Sequence, residues 1–240
     1  MMGVRTETIE YYDGETCLEG FFAVEEVPSA PLPTVMISHA WRGRDDFVCN
    51  KARTLAELGY AAFALDLYGK GVLGKSLEEN ARLMQPFMDD RSLLQRRMTL
   101  ALDTLRGLEQ VDAERIAAIG FCFGGLCVLD LARTGADLCG AVSFHGLLTP
   151  PGNTRGNRIE AKVLMLHGHD DPLVPEKDVL AVQQEMSEAG ADWQFHSYGH
   201  TMHAFTNPIA NDPDFGTVYH PVADRRSWQS MRNFLEEVLA

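Results

Sequence analysis

The stretch Gly120-Phe121-Cys122-Phe123-Gly124-Gly125 sets a nucleophilic side chain among glycines. An apolar run, 116–119, leads into it, and a helical pattern, 126–132, leads out. That is strand, tight turn, helix, with a thiol at the turn. A residue at such a turn is held in a strained conformation, and large neighbours would collide with it, which is why small residues flank it. The chemistry on offer is covalent catalysis by a thiolate. The helix N-terminus below the sulfur favours the anion, and a neighbouring imidazole would pair with it.

A thiolate nucleophile needs a base, an acid that orients the base, and donors for an oxyanion. Downstream, the apolar run 163–167 ends in Gly168-His169-Asp170-Asp171-Pro172. A carboxylate just past a strand end can hold a histidine, and Asp171 is preferred to Asp170 for its place before a short loop and helix. As an alternative, both aspartates cap the following turn. Further on come His200-Thr201-Met202-His203-Ala204-Phe205. His203 is preferred to His200 because the apolar pair after it could anchor the loop. For the oxyanion, one donor is the backbone N–H of Phe123 and the second that of Trp41, in the loop after Ser38. One such donor is worth about 3 kcal/mol. His145 and His167 close strands, where they either line a cleft or bond backbone as buried polar residues; the second fate is the commoner. Cys127 and Cys139, inside helix and strand patterns, read as small buried hydrophobes.

The elements that must position these groups alternate along the chain. Segments 8–12 and 17–24 flank Asp13-Gly14, a hairpin turn signal. After a Pro-rich link at 28–33, the run 34–38 reads as a buried parallel strand. Asp45-Asp46 cap a helix to Leu58, stopped by Gly59, and 60–65 is the next strand. A helix over 77–88 is interrupted by Pro86, and another spans 92–108. Strands at 138–144, 163–167 and 193–198 and helices at 175–189 and 222–238 complete the alternation. The loop 208–221, with three prolines, either covers a site or braces the last helix. Strands alternating with helices indicate a mostly parallel sheet with helices on both faces. No linker is visible, so 1–240 reads as a single domain.

Composition limits the partners. A chain of 240 residues can hide about 70 % of its unfolded surface. A net charge of −13 argues against nucleic acid and anionic membranes and says little about a small substrate, which feels only the local site. The five cysteines are odd in number and scattered, so they form no disulfide framework. Reduced thiols, a polar N-terminal segment and no membrane-length apolar stretch point to the cytoplasm. No metal or organic cofactor is implied.

Together these motifs resemble the dienelactone hydrolase family of α/β-hydrolases. The most specific are 120–125, Gly168 to Asp171 before Pro175, and Met202-His203-Ala204-Phe205; Leu65-Asp66-Leu67-Tyr68 also looks like the family. The resemblance implies an α/β-hydrolase fold and a triad of Cys122, Asp171 and His203. It also exposes departures. Familiar members place a glutamate after the first core strand, where this chain has Ala40, with His39 adjacent. They hold a substrate carboxylate with two arginines, at positions occupied here by Lys70 and Asn207, so the anion clamp is weakened. The expected reaction is hydrolysis of a carboxylic ester or lactone through an acyl-thioester. The alternatives are a thioesterase or other acyl hydrolase on the same fold, or a redox-sensing thiol protein. A peptidase would need an added domain to select peptides, and the chain is too short for one.

Overall fold

The computed structural model describes residues 3–240, so Met1 and Met2 of the N-terminal segment lie outside it. Eight strands, β1 (Val4–Asp13), β2 (Thr16–Glu25), β3 (Leu32–Ser38), β4 (Ala61–Ala64), β5 (Val111–Phe121), β6 (Gly140–Phe144), β7 (Lys162–Gly168) and β8 (Trp193–Tyr198), form a mostly parallel sheet in the order β1-β2-β4-β3-β5-β6-β7-β8, interleaved with helices. By contact density the chain divides into two compact units, Met1–Ala118 and Ile119–Ala240. The fifth strand, β5 (Val111–Phe121), carries the chain from one into the other.

In the first unit, β1 (Val4–Asp13) and β2 (Thr16–Glu25) pair antiparallel from Val4 opposite Glu25 to Asp13 opposite Thr16. The hairpin closes at Gly14, whose φ of +60° a side chain rarely adopts. β3 (Leu32–Ser38) runs parallel to β4 (Ala61–Ala64), which also pairs antiparallel with β2. The last five residues of β3 and all of β4 are buried, which explains their unbroken apolar runs. Helix α1 (Asp46–Glu57) starts where Asp45 accepts the Phe47 N–H at 3.2 Å, packs on β2 and β4, and ends before Gly59.

Helix α2 (Leu77–Asp89) is continuous through Pro86, contrary to the expected interruption. Arg82 and Pro86 are both exposed, so the carbonyl that proline leaves unbonded can turn to water, and only one turn of helix remains. Helix α3 (Arg91–Arg106) follows, capped by Asp90. Arg96 and Arg97 of α3 both bond Asp13 at the end of β1, at 2.9 Å each. β5 starts five residues before its apolar run. Its first half is polar and only partly buried, so hydrophobicity marks only the half inside the core.

In the second unit, β6 (Gly140–Phe144), β7 (Lys162–Gly168) and β8 (Trp193–Tyr198) are parallel neighbours. Helix α4 (Phe123–Arg133) packs on β6, α5 (Glu176–Glu188) on β8, and α6 (Pro221–Val238) on β6 and β7. Arg133 and Asp130 of α4 form a fully buried pair at 3.1 Å, completed by Glu185 of α5. The loop 208–221 contains two short strands, β9 (Asn211–Asp212) and β10 (Thr217–Val218), in an antiparallel hairpin too small to leave a sequence signal. Among the described residues, no helix is long and apolar enough to cross a membrane.

Candidate active site

Cys122 lies between the end of β5 and the start of α4 with φ 55° and ψ −117°. This conformation costs a non-glycine residue about 1–3 kcal/mol and persists only where the surroundings enforce it. Two close approaches do so. A Cβ on Gly120 would lie 2.0 Å from the Gly124 carbonyl oxygen. One on Gly125 would meet Ser143 Oγ at 2.6 Å and Gly146 Cα at 2.8 Å, so α4 sits against the end of β6 only because position 125 lacks a side chain. The Cys122 N–H donates to the Phe144 carbonyl at 3.0 Å, and the Cys122 carbonyl accepts from Gly125 at 2.9 Å. Phe123 is the first residue of α4, and its N–H is therefore one of the helix's leading donors.

The turn after β7 carries Asp171, and the loop after β8 carries His203. Backbone bonds zip the two together: His169 N–H to Tyr198 O and Asp170 N–H to Thr201 O, each 2.9 Å. Asp171 Oδ1 accepts the Leu173 N–H at 2.9 Å, and Oδ2 lies 2.7 Å from His203 Nδ1. Both side chains are sealed from solvent. An ionised carboxylate only accepts, so His203 donates through Nδ1–H and directs Nε2 away from Asp171. Nε2 is buried without a hydrogen-bond partner among the described residues. Burial alone would push the His203 pKa down. The charge of Cys122 and the hydrogen bond and charge of Asp171 outweigh burial and raise it to about 10. The imidazolium is thus the favoured form of His203 at neutral pH.

The neighbouring aspartate and histidine also meet, but differently. His200 Nδ1 is 3.9 Å from Asp170 Oδ2, with the His200 side chain fully exposed. That contact is too long for a hydrogen bond and is screened by water.

The loop 208–221 holds the His203 backbone. His203 N–H donates to Gly216 O at 2.9 Å, and Val218 N–H donates to His203 O at 3.0 Å. This bracing of the histidine, rather than only of the last helix, has no sequence signal, because it consists of backbone bonds. His145 is a second group that spacing alone left undecided. It is buried, with φ 39°, and its ring bonds both the Cys122 N–H (3.2 Å) and Thr206 Oγ1 (2.8 Å). Its place at the end of β6 was the one available clue.

The other candidate residues have different surroundings. Lys70, in the first unit, pairs with Glu10 and lies 3.5 Å from Glu19, so two carboxylates compete with any anion for its ammonium. His39 is fully buried; its Nδ1–H donates to the Ala40 carbonyl at 2.7 Å and its Nε2 accepts the Leu67 N–H at 3.2 Å. Burial holds its pKa below the ordinary value. With both nitrogens bonded to backbone, His39 braces the loop rather than offering a substrate contact. Trp41 accepts the Tyr68 hydroxyl on its carbonyl at 3.0 Å. Asn207 turns its side chain to the Ile209 N–H at 3.3 Å, capping its own loop.

Residues 18–239 match the model of the dienelactone hydrolase family. A solved structure named m3DLH is 40 % identical, covers 99 % of both chains and superposes with a TM-score of 0.93. A second, a dienelactone hydrolase-like promiscuous phosphotriesterase, P91, from metagenomic libraries, is 38 % identical over 99 % of both chains, TM-score 0.92. A Bradyrhizobium protein named as a probable 2-oxo-3-(5-oxofuran-2-ylidene)propanoate lactonase is 25 % identical, covering 98 % of this chain and 96 % of its own.

Proposed function

Because the chain belongs to the dienelactone hydrolase family and is a carboxylic ester hydrolase of the carboxymethylenebutenolidase type, we propose that it cleaves esters or lactones through Cys122, His203 and Asp171. The observation that carries this reading is the sealed 2.7 Å Asp171–His203 pair, whose Nε2 is buried without a hydrogen-bond partner among the described residues, together with the strained turn that carries Cys122.

The Cys122 thiolate adds to the carbonyl carbon, forming the C–S bond as the C=O pair moves to oxygen. The oxyanion is received by the N–H of Phe123, the first residue of α4. Collapse restores the carbonyl and breaks the C–O bond; the departing alkoxide or enolate takes the proton from His203 Nε2. Water then gives a proton to Nε2 as it attacks the thioester, and the thiolate leaves with the acid released. Asp171 keeps Nδ1 protonated throughout. A thiolate is itself a good leaving group, so the intermediate goes forward only when the substrate's leaving group is at least as good. Enol lactones, aryl esters and thioesters satisfy this; amides do not.

Glu10 and Glu19 around Lys70 favour substrates without a carboxylate. The side-by-side hydrolysis of a dienelactone and a neutral short-chain aryl ester, with wild type and Cys122→Ala, tests both points. Both activities are lost in the variant, and wild type prefers the neutral ester. A variant as active as wild type would remove Cys122 from the mechanism. Strong preference for dienelactone would mean that a cation still holds the carboxylate.

The likeness to the phosphotriesterase supports a second reading, cleavage of aryl phosphotriesters at the same thiol. Aryloxide is again a leaving group that a thiolate can displace. A chain that works through a free thiol suits a reducing compartment such as the cytoplasm.

A further inference from the structure

One buried ring bonds both the Cys122 backbone and the loop that carries His203. His145 follows β6 and extends its ladder, its N–H donating to Leu166 O at 2.8 Å. Its Nδ1 faces the Cys122 N–H at 3.2 Å, and a ring nitrogen that meets an N–H does so with its lone pair. The ring proton therefore sits on Nε2 and is donated to Thr206 Oγ1 at 2.8 Å. Thr206 lies three residues after His203 on the same loop. The ring also stands edge-on to His203, 5.1 Å between centroids, and to Phe205 at 5.0 Å.

The backbone already gives the Cys122 N–H a partner in Phe144 O, so the amide does not need the imidazole merely to be satisfied. What the ring adds is a link. It joins the strained elbow to the loop that carries the base, across 61 residues of sequence from Thr206. His145 is itself held at φ 39°, a left-handed conformation that histidine adopts more readily than bulky residues but still at a cost.

We propose that His145 is a positioning residue for the hydrolytic reaction: as the Nε2-protonated tautomer it ties the Cys122 backbone to Thr206 and thereby sets the approach of Cys122 to His203. The inference rests on the reading of Cys122 and His203 as the reacting pair. The ring does not touch the substrate's reacting atoms in this scheme; it acts through the backbone and the loop. A misplacement of about 1 Å between reacting groups can cost about a hundredfold in rate.

Two substitutions cut the link at different ends. His145→Asn keeps an acceptor near the Nδ1 place and tolerates the positive φ, but is too short to reach Thr206. Thr206→Val removes the acceptor of the Nε2–H with almost no change in volume. The readouts are kcat and KM for an aryl acetate, together with the rate of Cys122 alkylation by iodoacetamide against a Cys122→Ala blank. Each single variant loses about 10- to 100-fold in kcat, KM changes less than about threefold, and alkylation slows. The double variant is no worse than His145→Asn alone, because both substitutions break the same link. Unchanged kcat in folded Thr206→Val overturns the proposal, as does a loss confined to KM or full additivity in the double variant. If His145→Asn does not fold, Thr206→Val still decides. Cys122→Ala assayed in parallel separates the two levels: residual turnover there rejects the thiol nucleophile itself, whereas its complete loss beside unaffected Thr206→Val rejects only the positioning role.

Discussion

Replacing Asp171 by asparagine tests the triad through a detail of its surroundings. Leu173 N–H donates to Asp171 Oδ1 at 2.9 Å, while Oδ2 accepts from His203 Nδ1 at 2.7 Å. In Asp171→Asn, the amide oxygen stays where Leu173 donates, which leaves the NH₂ group facing His203. A donor there forces Nδ1 to become the acceptor and sends the imidazole proton to Nε2. Nε2 can then no longer take a proton from the thiol or from water. In a serine triad the same exchange of acid for amide lowers kcat about 10⁴-fold by the same change of tautomer. A thiol needs less help from its base, so we expect about 10³-fold, roughly 4 kcal/mol at 1.36 kcal/mol per decade. Steady-state hydrolysis of an aryl acetate at neutral pH measures it, with thermal unfolding to show that the variant is folded. KM should hardly move, since Asp171 is sealed from any substrate. A folded variant within tenfold of wild-type kcat would refute the tautomer argument and, with it, the assignment of Asp171 as the orienting acid.

Other expectations follow from the same contacts. His203, with its pKa raised to about 10, should titrate by NMR well above the ordinary histidine value near 6.5; in Cys122→Ala the largest raising contribution disappears and the pKa should fall, and no change would show that the sulfur does not act on the ring. A raised folded-state pKa contributes stability that is complete below about pH 6.5 and is lost as pH rises through about 10, so wild type should lose more stability over that alkaline window than Cys122→Ala. Gly125→Ala puts a methyl into Ser143 Oγ and the Gly146 backbone and should cost about 1–3 kcal/mol in denaturant unfolding, with an unchanged midpoint arguing against the close contact of α4 with β6. Arg96, then Arg97, hold the Asp13 carboxyl down at about 2. Its stabilisation is therefore present above about pH 4 and lost as pH falls towards 2; Asp13→Asn should flatten acid unfolding in that range, by no more than about 1 kcal/mol because one partner is solvent-exposed.

The elbow was legible because its constraints are local. A nucleophile between a strand and a helix requires small flanking residues, and Gly120, Gly124 and Gly125 display that need in six residues of sequence. The hairpin at Gly14 and the Asp45 cap of α1 were legible for the same reason. Pro86 misled because a local rule was read without its surroundings: near a helix end, beside water, proline is tolerated. The polar half of β5 was invisible because hydrophobic patterning reports burial rather than pairing. Lys70 looked like a cation available to substrate until Glu10, sixty residues away in sequence, was found beside it.

By itself the sequence determined most of the order of elements and placed a thiol at the turn between a strand and a helix, since turn chemistry, periodicity and capping act over a few residues. It favoured Asp171 over Asp170 and His203 over His200 on layout alone, with no contact to decide between them. Only the tertiary structure separated them, burying one pair at 2.7 Å and leaving the other at 3.9 Å in solvent. The reason is tertiary contact: which of two nearby carboxylates or imidazoles faces inward depends on the neighbouring strands and loops. The bracing of His203 by Gly216 and Val218, and of Cys122 by His145, belongs to the same class. Such contacts join segments distant in sequence, and they exist only once the sheet has brought the strand ends side by side.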